Sequence, residues 1–194
     1  MSTSIPITQE QHIQIMQAMN ENTIFYKRNP QVIHILTVEA SIGLRLGDVL
    51  SISLNQIFST EQGYRLKIKE KKTGKERNVP IPAELYAYLT EYAISKGRKR
   101  DEPIFTLTPR AVTKYIKKVV DYLGLENVSS HSWRKLYALT VYKKSGNDIV
   151  AVQQALLHSS LAVTQRYLNR RSEKLESILQ TNCNIVTLED KNYV

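Results

Sequence analysis

Cysteine is almost missing from this chain of 194 residues: Cys183 is the only one. A single thiol closes no internal disulfide, so nothing argues for a secreted, cross-linked scaffold. Long apolar runs are missing too, since none approaches the roughly 18 residues that a membrane span needs. The opening MSTSIPITQEQ has no basic start followed by an apolar core, so it does not read as a signal peptide. The expectation is a cytoplasmic protein with no membrane partner. Glycine (7) and proline (6) are too few for a collagen-like or low-complexity chain. The histidines are four, His12, His34, His131 and His158, with no H-E-x-x-H, cysteine pair or acidic cluster beside them. No metal is therefore expected. G-x-x-x-x-G-K-[ST] and G-x-S-x-G are also absent, which argues against nucleotide-driven chemistry and a serine elbow. No cofactor and no small-molecule substrate are expected, so any catalysis must use Arg, Lys, His, Tyr or Ser.

What is present is positive charge. There are 27 Lys and Arg against 18 Asp and Glu, a net charge of +9. With 42% hydrophobic and 23% charged residues the chain suits one globular domain with its own core, and the charge points to an anionic partner.

Most of the chain has helical periodicity. Thr8 precedes Ile13, Ile15, Met16 and Met19 at the spacing of a short helix. Asn29-Pro30 is a turn signal, and residues 31–42 are apolar all round, as in a buried helix that Gly43 ends. From 52 to 81 the period changes to two. Tyr64, Leu66 and Ile68 alternate with Arg65, Lys67 and Lys69, Thr73-Gly74 is a turn, and ERNVPIP returns. This predicts a three-stranded antiparallel sheet near residues 52–81. Pro82, Thr108-Pro109, Ser129-Ser130, Asn147-Asp148, Ser159-Ser160 and Ser172 each start a further helical pattern. The fold class is α+β, mainly helical, with one small basic sheet inserted early.

Four clusters carry chemistry. In HSWRK, His131 and Arg134 are three apart and share a helix face, where an Arg fork beside an imidazole suits a phosphate oxygen; the plain alternative is a surface pair with no role. In HSSLAVTQRY, His158 precedes a helix start, which favours anions, and Tyr167 lies nine residues on; the alternative is a loop histidine and a core tyrosine. In GLRLGDVL, Arg45 follows a buried helix, and Asp48 is spaced to hold its fork, as a site or as a structural ion pair. Residues 63–78 hold seven Lys and Arg and two Glu, a net +5 in one hairpin. Such a hairpin fits a phosphate backbone, or a solvated edge strand guarded by lysine.

In this order and spacing the four pieces resemble the catalytic domain of tyrosine recombinases, the phage integrase family that includes the Xer-type enzymes. That family shows an Arg in a G-L-R segment, a Lys on a β-hairpin, an H-x-x-R box, a His or Trp, and a Tyr nine residues later. These fall on Arg45, Lys72, His131 with Arg134, His158 and Tyr167, and KKTGKERNVPIP is similar to the family hairpin. The likeness runs over about 32–171. Two departures stand inside it: Lys135 follows Arg134 where the family box reads Arg-His, and Leu157 precedes His158 where Gly is common.

The resemblance implies a site-specific recombinase or integrase. Tyr167 would attack the scissile phosphate to give a 3′-phosphotyrosine, and Lys72 would protonate the leaving 5′ oxygen. His131 would take the Tyr167 proton or position the phosphate, and Arg45, Arg134 and His158 would stabilise the phosphoryl oxygens, with Asp48 in support. Lys69, Lys71, Lys75 and Arg77 would meet DNA. The implied partner is double-stranded DNA, bound by a homotetramer on two sites and by a monomer before that. The expected organisation is a catalytic domain at 1–180 and a tail at 181–194, without the family's preceding helical core-binding domain. Two rival readings are a non-catalytic sequence-specific DNA-binding protein and a type IB topoisomerase-like relaxing enzyme.

Overall fold

The computed structural model describes residues 4–168 apart from Thr73 and Ser159, with the backbone alone at 166–168. The helical patterns at Ser172 and beyond, the tail and Cys183 lie outside the described residues. Among the described helices, none is long and apolar enough to cross a membrane.

Two helices form the spine. Helix α2, Pro30–Ile42, has Pro at its first turn and buries Val32, Ile35, Leu36, Val38 and Ile42. Helix α6, Ser130–Lys144, starts at a capping box in which Ser129 and Ser132 satisfy each other's backbone N–H groups. The two pack together at the end of α2, where Gly43 takes a left-handed φ of 61°. A Cβ there would lie 2.1 Å from Tyr137 Cδ1, so a side chain is excluded by space as well as by backbone conformation.

Helix α1, Gln9–Met19, opens with a Thr8–Gln11 capping box and docks through His12, whose Nδ1 accepts from Trp133 Nε1 at 3.0 Å. The segment before it is tied down as well. Ile5 N donates to the Asn127 carbonyl at 2.9 Å, and buried Lys135 donates to the Ser4 carbonyl at 2.6 Å. The departure at Lys135 is thus a long cation reaching back to the start of the chain.

After the single turn α3, Leu46–Val49, and a 3-10 turn, Leu54–Gln56, the chain enters the sheet. Strands β1 (Ile57–Thr60), β2 (Gly63–Lys69) and β3 (Glu76–Ile81) are antiparallel in the order β1-β2-β3. The sheet is shorter at its start than the 52–81 expected. The alternation in SISL instead brings Ser53 into a bridge with Pro103 and lets Ile104 N reach the Ile52 carbonyl. The period of two holds: Leu66 and Ile68 are buried with Lys67 and Lys69 exposed, and β3 buries Arg77, Val79 and Ile81.

Helix α4, Ala83–Ser95, and helix α5, Pro109–Tyr122, cover the rest of the core. Thr108 caps α5 by accepting from Ala111 N, and Val112, Ile116, Val119 and Val120 form its inward stripe. Helix α7, Ile149–Leu156, is capped by Asp148, and helix α8, Leu161–Leu168, packs against both α6 and α7. The ends of α2 and α7, the start of α6 and the β2–β3 turn meet at one place.

Candidate active site

Arg45 occupies the N-cap position of α3, two residues after the Gly43 turn. Its side chain is 24% exposed, and Nη1 donates to Glu70 Oε2 at 2.7 Å. The carboxylate that takes this fork is therefore Glu70, and Asp48 has a different task. Asp48 is buried, and its Oδ1 accepts from Lys71 N at 2.9 Å, which staples the β2–β3 turn to α3.

Arg134 lies on the first turns of α6 and is 2% exposed. It donates to the Gly43 carbonyl at the end of α2 and, at 3.1 Å, to the Leu156 carbonyl at the end of α7. One guanidinium thus joins the two helix ends that bracket the site. Beneath it Glu39 is completely buried, and neither of its oxygens has a hydrogen-bond partner among the described residues. Burial pushes the Glu39 carboxyl well above the usual carboxylate range, with the Arg134 charge opposing more weakly.

His131 sits at the exposed start of α6. Partial desolvation lowers its imidazole pKa first, and the charges of Arg134, Arg45, Lys72 and Lys135 lower it further. His158 follows α7 directly, and its Nδ1 shares a hydrogen bond of 3.1 Å with Thr164 Oγ1 on α8. Its pKa falls to about 4 through desolvation, then Arg134, Arg45 and Arg77, with Glu70 opposing. Desolvation and the surrounding cationic charges thus bias both imidazoles toward the neutral form. The turn into His158 runs through Leu157, which holds φ at 51°, a left-handed conformation that favours glycine. The second departure noted in the sequence thus puts a leucine where the backbone suits glycine, and leaves a strained helix C-cap.

Lys72 stands exposed in the β2–β3 turn, close enough for its charge to reach His131. Lys69, Lys71 and Lys75 are exposed on the same hairpin. Arg77 is not: it is 3% exposed, bonded to Glu70 Oε1 at 3.3 Å and to the Ala155 carbonyl at 2.5 Å. Arg77, expected to meet DNA, is placed here as an internal link between β3 and α7. Arg77 shares its face of β3 with Val79 and Ile81, and Glu70 continues the inward series Leu66, Ile68 on β2. That register was the available signal for both residues. Tyr167 is on α8, which packs on α6 and α7; its side chain lies outside the described part.

Arg45, Arg134, His131, His158 and Lys72 thus lie within electrostatic reach of one another, with Glu70 as the carboxylate bonded to Arg45. Such a field favours a compact oxyanion over any neutral or cationic ligand. Among the described residues no group of His, Cys, Asp and Glu is placed to hold a metal ion.

The chain belongs to the phage integrase family, whose model matches residues 6–174. This reaches further back than the 32–171 spanned by the boxes and takes in α1, which Trp133 binds to α6. The tyrosine recombinase XerC of Rickettsia bellii is 32% identical over 148 residues, covering 72% of this chain and 47% of that protein. The tyrosine recombinase XerA of Pyrococcus furiosus is 27% identical over 148 residues, covering 71% of this chain and 50% of its own. The chain therefore spans about half the length of these relatives. In fold it is similar to the XerH site-specific recombinase in a post-cleavage complex with its difH substrate, with a TM-score of 0.67, 19% identity, and coverage of 91% of this chain and 53% of that one. The catalytic domain of bacteriophage HP1 integrase gives 0.64 and 20%, with 92% and 95% covered.

Proposed function

We propose that this chain is the catalytic part of a site-specific DNA recombinase that cuts and rejoins DNA through a 3′-phosphotyrosine. The observation that carries the reading is that Arg134 ties the ends of α2 and α7, beside Arg45 and beside His158, which is bonded to Thr164 of α8, the helix that bears Tyr167, while His131 and Lys72 lie within electrostatic reach.

The chemistry follows from those groups. A tyrosine hydroxyl, pKa about 10, is a poor nucleophile at neutral pH. It reacts when the charge that develops on phosphorus-bound oxygens is stabilised. Arg45, Arg134 and His158 supply N–H donors to the two non-bridging oxygens. Tyr167 Oη forms the bond to phosphorus as the P–O5′ bond breaks. His131 accepts the phenolic proton and Lys72 gives one to the departing O5′. A 5′ hydroxyl from a partner strand reverses these steps and releases Tyr167. The ester preserves the bond energy, so rejoining needs no external energy source. The same reading gives a monomer that assembles as a homotetramer on two duplexes, in the cytoplasm where the DNA is, with Lys69, Lys71 and Lys75 along the backbone.

The test uses nicked duplexes with randomised sequence around the nick, so that cleavage releases a short fragment and traps the protein. Wild-type protein is expected to give a covalent adduct that survives denaturation, and Tyr167→Phe none. Arg45→Ala or Arg134→Ala should lower adduct formation by several powers of ten, on the order of two oxyanion donors lost. Lys72→Ala should be restored by a substrate with sulfur at the 5′ bridging position, which leaves without a proton. Relaxation of supercoiled plasmid without site preference would instead mark a topoisomerase-like activity, and affinity without adduct a DNA-binding protein.

A further inference from the structure

We propose that Glu70 is a positioning residue for cleavage: it aims the Arg45 fork and couples it to the Lys72 turn and to the His158 end of α7. The inference rests on the recombinase reading above and adds to it a residue outside the family's boxes.

Glu70 interrupts an apolar series. Leu66 and Ile68 face inward from β2, Glu70 follows the same alternation just past its end, and the Glu70 side chain is 2% exposed. A buried carboxylate persists only where cations and N–H donors compensate it. Here Oε2 takes Arg45 Nη1 at 2.7 Å and Oε1 takes Arg77 Nη1 at 3.3 Å. The carboxylate also lets two like charges sit close together.

Each partner leads to another part of the site. Arg77 is fixed by the Ala155 carbonyl in the last turn of α7, three residues before His158. The Glu70 backbone closes the hairpin: its N–H donates to the Lys75 carbonyl at 2.9 Å, and its carbonyl accepts from Gly74 N at 2.8 Å. Lys72 is therefore carried on a turn whose base is Glu70, and Asp48 holds the next residue, Lys71, from the other side. An arginine presents five donors in a rigid plane, so a carboxylate engaged at Nη1 fixes the plane and leaves other N–H groups for a phosphate. The partial exposure of Arg45, against the burial of Arg77, marks Arg45 as the one of the pair that a ligand can reach.

The test compares wild type with Glu70→Gln on a nicked duplex selected by the wild-type protein, under single turnover. Glu70→Gln keeps the shape and one acceptor but removes the charge that holds both forks. Adduct formation at saturating DNA is expected to slow by about tenfold to a hundredfold, the scale of a small misplacement of a catalytic donor. DNA affinity should stay near wild type, while the thermal midpoint falls because buried Arg77 loses its counter-charge. In an Arg45→Lys background, which has no fork to aim, Glu70→Gln should cost nothing more. A wild-type or faster rate in Glu70→Gln overturns the proposal, the faster rate showing that Glu70 withholds Arg45 from phosphate. Parallel loss of rate, affinity and midpoint also overturns it and leaves a purely structural ion pair. Should Glu70→Gln fail to fold, Arg77→Lys keeps the charge and loses the fork, and slower adduct formation is again required. Should wild type give no adduct, the recombinase reading fails by itself. The Arg45 side-chain N–H resonance, assigned by its loss in Arg45→Lys, then decides: it must shift in Glu70→Gln, and an unmoved signal rejects the pairing.

Discussion

Glu39 shows what one buried acid does to the balance of this domain. It lies under Arg134 with both oxygens unbonded among the described residues, and burial raises its pKa well above the usual range. A raised pKa means that the folded state holds the proton where the unfolded chain releases it. The carboxyl therefore costs nothing below its unfolded pKa, and destabilises increasingly as pH rises through the window up to its folded value. Glu39→Gln is expected to flatten that slope and make the domain more stable relative to wild type at pH 7 than at pH 5, because the amide has no proton to lose. Denaturant unfolding of both proteins across pH 5–8 measures it, and equal slopes would refute the assignment. His158 acts in the opposite direction: with its pKa lowered to about 4, stability is lost as pH falls below the unfolded imidazole value near 6.5.

At the scale of elements, the site is built from helix ends. The end of α2 gives the Gly43 carbonyl, the end of α7 gives the Leu156 carbonyl, and Arg134 on α6 ties both. Two left-handed residues make those ends possible, and they tolerate change differently. At Gly43 a Cβ would enter the Tyr137 ring, so Gly43→Ala should destabilise. At Leu157 the left-handed turn is made by a residue that pays for its own Cβ, and the side chain is largely exposed. Leu157→Gly is expected to stabilise by about 0.5–1 kcal/mol, since relief of the left-handed penalty exceeds the entropy of glycine. Thermal unfolding of the two variants should move the midpoint in opposite directions. The helices and their caps were legible from Thr8, Thr108, Ser129 and Asp148 because capping chemistry is local. The carboxylate partner of Arg45 was not legible, because Asp48 is close in sequence and Glu70 is close only once the hairpin folds back. The inward turn of Arg77 was written in its alternation with Val79 and Ile81, but a count of hairpin charges hides it.

For the whole molecule, the +9 charge divides into two populations. Arg77 and Arg134 are buried and engaged inside the domain, whereas Lys69, Lys71 and Lys75 face outward from the hairpin. On the proposed reading, the outward lysines are the ones that would lie along the DNA backbone away from the scissile phosphate. Lys71→Ala and Lys75→Ala should each reduce the slope of log affinity against log salt by about 1. Titrations at several salt concentrations would detect this, and an unchanged slope would place the DNA elsewhere.

Trp133 is the only tryptophan of the chain, fully buried beside Arg134, with its indole N–H on His12 of α1. The protein thereby carries a single built-in tryptophan fluorophore, excitable apart from its 11 tyrosines, at the seam between α1 and α6. Its emission reports whether α1 is seated, without any label.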